Sequence, residues 1–112
     1  KDIIIRGGEN ISCAEVEMAI YSHPAIAEAC VFGLPDARFG EVPVAVFKSK
    51  DGLRITDAEL RDHLRARLAT YKQPVELWEE RRRLPRLGTE KVDKLSLKAR
   101  YSERWERARS AA

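Results

Sequence analysis

The stretch KDIIIRGGENISCAEVEMAIYS, residues 1–22, changes its pattern twice. A β-branched run at 2–5 stops at Gly7-Gly8 and resumes at 9–11, which predicts a strand, a tight glycine turn and a second short strand. Ser12 then precedes Glu15 by three residues, the spacing of a helix-initiating capping box. The stretch therefore predicts a β-hairpin followed by a helix that ends near residue 22.

Two further strands and a helix follow in the middle of the chain. Segments 25–34 and 41–48 are rich in branched apolar residues, so we predict a strand in each. Thr56 and Glu59 form a second capping box, and the helix that they open is predicted to end near Tyr71.

The last third predicts a strand at 75–79, an extended loop at 84–91, and a final helix that Asp93 can cap. The predicted order is thus β-β-α-β-β-α-β-α. This order indicates an α+β domain in which a small mixed or antiparallel sheet has three helices packed on it.

Length and composition indicate one small domain. The chain has 112 residues, 44% of them hydrophobic. No apolar run approaches the ~20 residues that a membrane-spanning helix needs. We expect 1–112 to form one domain with a frayed tail over 102–112. Because the chain opens with Lys1 and its only methionine is Met18, we also expect a piece cut from a longer protein.

The cysteines and histidines show no ligand spacing. Cys13 and Cys30 form no C-x-x-C pair and adjoin no histidine cluster, which disfavours a disulfide scaffold and a structural zinc site. We expect no metal site, a cytoplasmic location, and structural roles for His23 and His63. Cys13 lies in a predicted first helical turn, but no base is near it in sequence, so a catalytic role is disfavoured.

Charge is distributed unevenly along the chain. Residues 1–80 hold 10 Lys/Arg against 14 Asp/Glu, whereas residues 81–112 hold 11 against 4. The basic end could bind an anionic partner such as nucleic acid or a nucleotide, or it could be a solvated helix face. Around Arg81–Arg83 the interleaved aromatics of single-strand binders are absent, which favours the solvated face there.

Two segments are candidate sites. Lys91 lies in the predicted loop, and its ammonium suits charge that builds up on a phosphate or carboxylate oxygen. Composition alone favours a plain surface lysine. Gly7-Gly8 could be an ordinary hairpin turn, or it could let a thin ligand pass close to the backbone.

Five separate stretches together resemble one family. In order and spacing, from Lys1 to about Tyr101, they are similar to the C-terminal domain of adenylate-forming acyl-CoA synthetases, whose superfamily includes adenylation domains and luciferases. The stretches are KDIIIRGGENI at 1–11, EVE at 15–17, GLPD with GE at 33–36 and 40–41, YKQP at 71–74, and LPR with TEKVDK at 84–86 and 89–94.

The resemblance implies a two-step ligase. A large N-terminal domain, absent here, holds ATP with Mg²⁺ and a carboxylic acid, and a small mobile cap closes over it. The acid attacks the α-phosphate of ATP to give an acyl-adenylate and pyrophosphate; the cap then rotates, and coenzyme A displaces AMP. This chain resembles the cap alone, so we expect it to be inactive without its N-terminal domain.

The resemblance also implies roles for single residues. Lys91 matches the catalytic lysine of the adenylation step, and Lys1 falls at the hinge. The loop that lines the pantetheine passage of coenzyme A matches Arg6, Gly7, Gly8 and Glu9. The family most often has glycine before the lysine, where this chain has Glu90, whose carboxylate could compete for Lys91 or repel phosphates.

Three alternatives stay open. Within the family, the acceptor could be a carrier protein, as in peptide-synthetase adenylation domains; the GGENI stretch looks more like fatty- or aryl-acid CoA ligases. Outside the family, residues 81–109 could be a basic module that binds nucleic acid. The chain could also be a stand-alone regulatory or scaffold domain.

Overall fold

The computed structural model describes residues 2–111, and its elements follow the predicted order. Five strands and three α-helices make up the described part of the chain. They are β1 (Ile3–Arg6), β2 (Glu9–Ser12), α1 (Cys13–Tyr21), β3 (Ile26–Asp36), β4 (Gly40–Ser49), α2 (Asp57–Arg65), β5 (Glu76–Glu79) and α3 (Lys94–Ala111). The predicted α+β class is confirmed.

One mixed sheet organises the domain around β4. Strand β3 runs antiparallel along nearly the whole of β4 on one side. On the other side, β1 meets β4 at the single pair Arg6 and Gly40, and β5 runs parallel to β4 over Val44–Phe47. Strand β2 pairs antiparallel with β1 at the sheet edge.

Both faces of the sheet are covered, which divides the core into two clusters. One face packs against α1 and α2, and the other against α3 and Leu84. Along β4, Val44 and Val46 face the α3 side, while Ala45 and Phe47 face α1 and α2. The three predicted helices therefore pack on the sheet and are divided between its two faces.

The two predicted capping boxes have different outcomes. Thr56 and Glu59 exchange both hydrogen bonds at the start of α2. At α1, the Ser12 hydroxyl accepts from the Glu15 N–H, but the Glu15 carboxylate pairs instead with Lys72 Nζ at 2.9 Å. Glu15 thus links α1 to a distant loop instead of closing its own box.

Helix α2 is shorter than predicted. It ends at Arg65, and the chain continues through a turn and a 3-10 helix at Thr70–Lys72 instead of staying helical to near Tyr71. The side-chain amide of Gln73 donates to the carbonyls of Leu64 and Leu68 at 2.9 Å each. The Leu64 carbonyl also accepts from the Leu68 N–H at 2.9 Å, so backbone and side-chain donors together cap the end of the helix where the chain leaves it.

Helix α3 continues to Ala111, so among the described residues the segment expected to be a frayed tail over 102–112 is helical. The Trp105 side chain is buried, and its indole N–H donates to the Pro35 carbonyl at 2.8 Å. Arg109 pairs with Asp36 at 3.1 Å. These contacts bind the last turns of α3 to the end of β3.

The histidines join α1 to α2. Their rings meet edge to face at 4.9 Å, and His63 Nε2 lies 2.8 Å from the Ser22 hydroxyl. Partial burial lowers the pKa of His63.

Within residues 2–111, none of the helices combines the length and the apolar character that spanning a bilayer requires.

We expect Trp105→Ala to lower the free energy of unfolding by about 3–5 kcal/mol, because a buried aromatic leaves a cavity beside Trp78 and Tyr101. Leu95→Ala is the matched control on the same helix: its side chain is 80% exposed, and the loss should stay within about 0.5 kcal/mol. Urea denaturation of the purified chain measures both. Equal, small effects would mean that the end of α3 contributes nothing to the fold.

Stability should fall in alkali. Burial raises the pKa values of Cys13 and Cys30 from 9.0 to about 12, and burial with the hydrogen bond to Glu80 raises that of Tyr101 from 10.0 to about 12. The folded chain therefore keeps protons that the unfolded chain releases, and this stability is lost progressively above pH 9. The urea midpoint should fall between pH 8 and about 11. Replacing both cysteines by alanine should flatten that fall; an unchanged slope would contradict the assignment.

Candidate functional site

Lys91 lies on a small β-hairpin over residues 85–93, which we call the Lys91 hairpin. The Asp93 N–H donates to the Pro85 carbonyl at 2.7 Å, and the Leu87 N–H donates to the Lys91 carbonyl at 2.8 Å. Arg86 and Val92 form an antiparallel bridge between the two arms. The segment predicted as an extended loop therefore has a defined backbone, with the Lys91 side chain exposed near its tip.

The tip of this hairpin requires an unusual backbone conformation at Glu90. The Glu90 N–H donates to the Leu87 carbonyl at 3.0 Å, and Glu90 has a φ of 68°. A turn closed by a left-handed residue is a common hairpin end, and glycine is the residue that adopts it without strain. Glycine, the residue that the resemblance led us to expect before Lys91, would adopt this φ without strain.

Arg83 holds the Glu90 carboxylate. The two side chains pair at 2.8 Å, although both are well exposed. Such an exposed pair contributes at most about 1 kcal/mol to stability. The pair matters for Lys91 because the Arg83 guanidinium offsets the negative charge of the Glu90 carboxylate next to the lysine.

Both flanks of the Lys91 hairpin are held by acidic side chains from other parts of the domain. Before it, Glu28 on β3 contacts Leu84 and Arg86. After it, Lys94 at the start of α3 pairs with Asp2 and, at 3.1 Å, with Glu17 of α1. Burial disfavours the Lys94 ammonium, but the hydrogen bond to Asp2 and the charge of Glu17 outweigh it and raise the pKa of Lys94 to about 12.

The Gly7-Gly8 pair forms the two-residue turn between β1 and β2. Both glycines have positive φ, 55° and 87°, as a type I′ hairpin turn requires. The Gly7 N–H donates to the Phe39 carbonyl at 2.8 Å, and a Cβ on Gly7 would lie 3.3 Å from the Phe39 ring. A Cβ on Gly8 would meet no atom within 4 Å, so the surface beside Gly8 is open.

Arg6 and Glu9 flank this turn as a cross-strand pair. The Arg6 guanidinium lies 4.5 Å from the centre of the Phe39 ring and donates to the Tyr71 carbonyl at 3.2 Å. Arg6 thus fastens the hairpin to two loops, whereas Glu9 is exposed. Lys1, the expected hinge residue, lies outside the described residues.

The structure separates the two candidate segments. Asp2, which contacts Lys94, lies at one end of β1, and Gly7 lies just beyond the other end. Five residue steps of an extended strand separate them by roughly 17 Å. The glycine turn and the base of α3 are therefore at opposite ends of one strand and do not form a single pocket.

Ion pairs neutralise much of the basic C-terminal end. Arg83, Arg86 and Lys94 have the acidic partners described above. Three further arginines are also paired: Arg100 with Glu80, Arg107 with Glu103, and Arg109 with Asp36. Arg104 lies over the Trp78 and Tyr101 rings. Within 2–111, no group of three or more His, Cys, Asp or Glu side chains could hold a metal ion.

Sequence reasoning missed the acidic side chains that fix the Lys91 hairpin. Glu28 is the only charged residue in the predicted strand at 25–34, and that isolation was a signal that it has a specific partner. Its partners follow it by more than 50 residues, so local patterns could not identify them.

Comparison with known proteins identifies CoA ligases as relatives of this chain. The chain is 46% identical over 101 residues to a feruloyl-CoA synthase from Amycolatopsis, covering 90% of this chain and 20% of that protein. It is 44% identical over 100 residues to a probable CoA ligase, CCL11, from Humulus lupulus, covering 88% of this chain and 18% of that protein. The chain thus spans about a fifth of the length of these relatives.

Solved structures share the fold. Apo MatB from Rhodopseudomonas palustris superposes with a TM-score of 0.85 at 35% identity, covering 91% of this chain and 20% of that one. An o-succinylbenzoate CoA synthetase from Bacillus subtilis, bound to a product analogue, gives 0.80 at 43% identity, covering 87% and 19%. Residues 15–91 match the family described as the AMP-binding enzyme C-terminal domain. Since this match spans most of the chain, from α1 to Lys91, the protein belongs to that family.

Proposed function

We propose that this chain is the catalytic cap of an AMP-forming acid–thiol ligase, which activates a carboxylic acid with ATP and transfers the acyl group to coenzyme A. The observation that carries the proposal is the exposed Lys91, presented at the tip of a hairpin that is fixed on both flanks. The CoA ligases among its relatives support the same reaction class.

In the adenylation step, Lys91 acts on two anions that repel each other. Its ammonium donates hydrogen bonds to the attacking carboxylate and to the α-phosphoryl oxygens of ATP, which reduces their repulsion and stabilises charge in the in-line transition state. The fixed flanks keep the lysine base in place, while its four-carbon stem supplies the reach. ATP and Mg²⁺ are held mainly by the N-terminal domain.

In the thioester step, the Gly7-Gly8 turn approaches the active site after a rotation about Lys1. A thin pantetheine arm needs close access to backbone, and the open surface beside Gly8 provides it. Arg6 holds the turn against Phe39 and the Tyr71 carbonyl, and Glu9 completes the loop.

The acid substrate is a fatty or aryl acid in this proposal. The named activities of the relatives include feruloyl-CoA and o-succinylbenzoate-CoA synthesis, and a fatty acyl-CoA synthetase is among the similar structures. The buried free thiols of Cys13 and Cys30 suit a cytoplasmic location.

Two other functions have less support. Loading of a carrier protein would use the same Lys91 chemistry, but the relatives named above are CoA ligases. Nucleic-acid binding needs free cations on one face, whereas Arg83, Arg86 and Lys94 are already paired with acidic residues.

In the full-length ligase, Lys91→Ala should slow adenylate formation about 10²–10³-fold, because a donor to developing charge is lost. ATP–pyrophosphate exchange measures this step. Thioester formation from supplied acyl-adenylate should stay within about twofold of wild type, since that half-reaction does not use Lys91. Lys50→Ala, which removes an exposed lysine beside β4, is the control. Equal loss in both half-reactions would contradict the role of Lys91.

Gly8→Ala should slow thioester formation and spare adenylate formation, the reverse of Lys91→Ala. The left-handed φ of 87° strains alanine by about 1 kcal/mol, and the added methyl narrows the passage beside the turn. We expect thioester formation to fall about tenfold, roughly 1.4 kcal/mol on the barrier, with adenylation unchanged. Gly52→Ala is a matched control, since Gly52 has a φ of 79° and equally open surroundings. Identical behaviour of the two variants would exclude a specific role for Gly8.

A further inference from the structure

Glu28 is an acidic side chain held in an apolar strand. It lies on β3 at the end of a register shift in the pairing with β4, and its side chain is only 12% exposed. A carboxylate this buried is costly unless it is paired and hydrogen-bonded. Its partners therefore indicate what the carboxylate does in the fold.

Both oxygens of Glu28 bind the segment that leads into the Lys91 hairpin. Oε1 accepts from the Leu84 N–H at 2.7 Å, and Oε2 accepts from the Arg86 guanidinium, also at 2.7 Å. Arg86 Nη1 also donates to the Leu84 carbonyl at 3.2 Å. One carboxylate thus fixes a backbone amide and a side chain two residues apart.

Through Arg86 and Arg83 these contacts reach both sides of Lys91. Arg86 bridges to Val92, the residue directly after the lysine. Arg83 lies 3.9 Å from Glu28 Oε2 and pairs with Glu90, the residue directly before the lysine. The buried position of Leu84 under α3 anchors the start of this network in the core.

We propose that Glu28 is a positioning residue for adenylate formation: it sets the height and direction of the Lys91 hairpin above the sheet, and touches no reactant itself. This inference rests on the proposed function of Lys91. Displacing a reacting group by about 1 Å costs about 10²-fold in rate, so a role of this kind has a measurable kinetic effect.

The test uses the full-length ligase and its two half-reactions. Glu28→Gln keeps the shape of the side chain and an oxygen for the Leu84 N–H, but it removes the charge that holds Arg86. We expect adenylate formation, followed by ATP–pyrophosphate exchange, to fall about 10–100-fold. Thioester formation from supplied acyl-adenylate should stay within about twofold. Arg86→Gln, which leaves Glu28 intact, should reproduce this split and serves if Glu28→Gln fails to fold.

A control variant removes the charge of an exposed carboxylate that has a similar hydrogen bond. Glu59 also accepts a backbone N–H, from Thr56 at 2.8 Å, but it caps α2 on the opposite face of the sheet. Glu59→Gln should leave both half-reactions within about twofold of wild type. An equal loss in both half-reactions for Glu28→Gln would reduce its role to general stability and overturn the inference.

A double variant separates this inference from the proposed function. If Glu28 acts through Lys91, adding Glu28→Gln to Lys91→Ala should slow adenylation no further than Lys91→Ala alone. Multiplying effects would overturn the positioning role. If Lys91→Ala impairs adenylation but Glu28→Gln does not, only this inference fails. If Lys91→Ala leaves adenylation intact, the proposed role of Lys91 fails, and this inference fails with it.

Discussion

The pairing of β3 with β4, buried on both faces, is the constraint on which the domain depends. Alternate side chains of these strands enter two separate cores, so each face needs its own helical cover. Helices α1 and α2 cover one face, and α3 with Leu84 covers the other. Most other elements dock on this pair or on its neighbour β1, so the two candidate segments are positioned by contacts with these three strands.

Two acidic side chains, Glu28 and Glu17, make directional contacts between the elements that pack on this pair. Glu28 projects from β3 toward the chain that precedes α3, and Glu17 accepts from the Val31 N–H at 2.8 Å while also pairing with Lys94. Each acid links the sheet region to one flank of the Lys91 hairpin. Apolar packing fixes how far elements lie from the sheet, and these charged contacts fix the direction in which the hairpin points.

Local patterns predicted the elements well and their partners poorly. The glycine turn, the Thr56–Glu59 box and the order of strands and helices depend on neighbours a few residues apart, and these are as expected. Two of the failures involve groups that are far apart in sequence. Glu15 pairs with Lys72, and the Trp105 indole N–H donates to the Pro35 carbonyl. In both contacts the two residues are far apart in sequence.

The same distinction applies to the candidate site. Lys91 and the glycine turn could be selected from the sequence because their motifs are local. The bracing by Glu28 and Lys94 could not, because it joins residues brought together only by the complete sheet. The positive φ of Glu90 could not be predicted from the residue itself, because the hydrogen bonds of the hairpin define the backbone at that position.

The separation of Asp2 from Gly7 along β1 has a mechanical consequence for the proposed rotation about Lys1. In a rigid body that turns about its point of entry, displacement grows with distance from the axis. Asp2 adjoins that point and is linked to α3 through Lys94, so it travels a short arc. The glycine turn lies roughly 17 Å farther along β1, so a rotation whose axis crosses the strand moves it through a longer arc. A change in one or two backbone torsions at the start of β1 would therefore move the Gly7-Gly8 turn at its other end over a large distance.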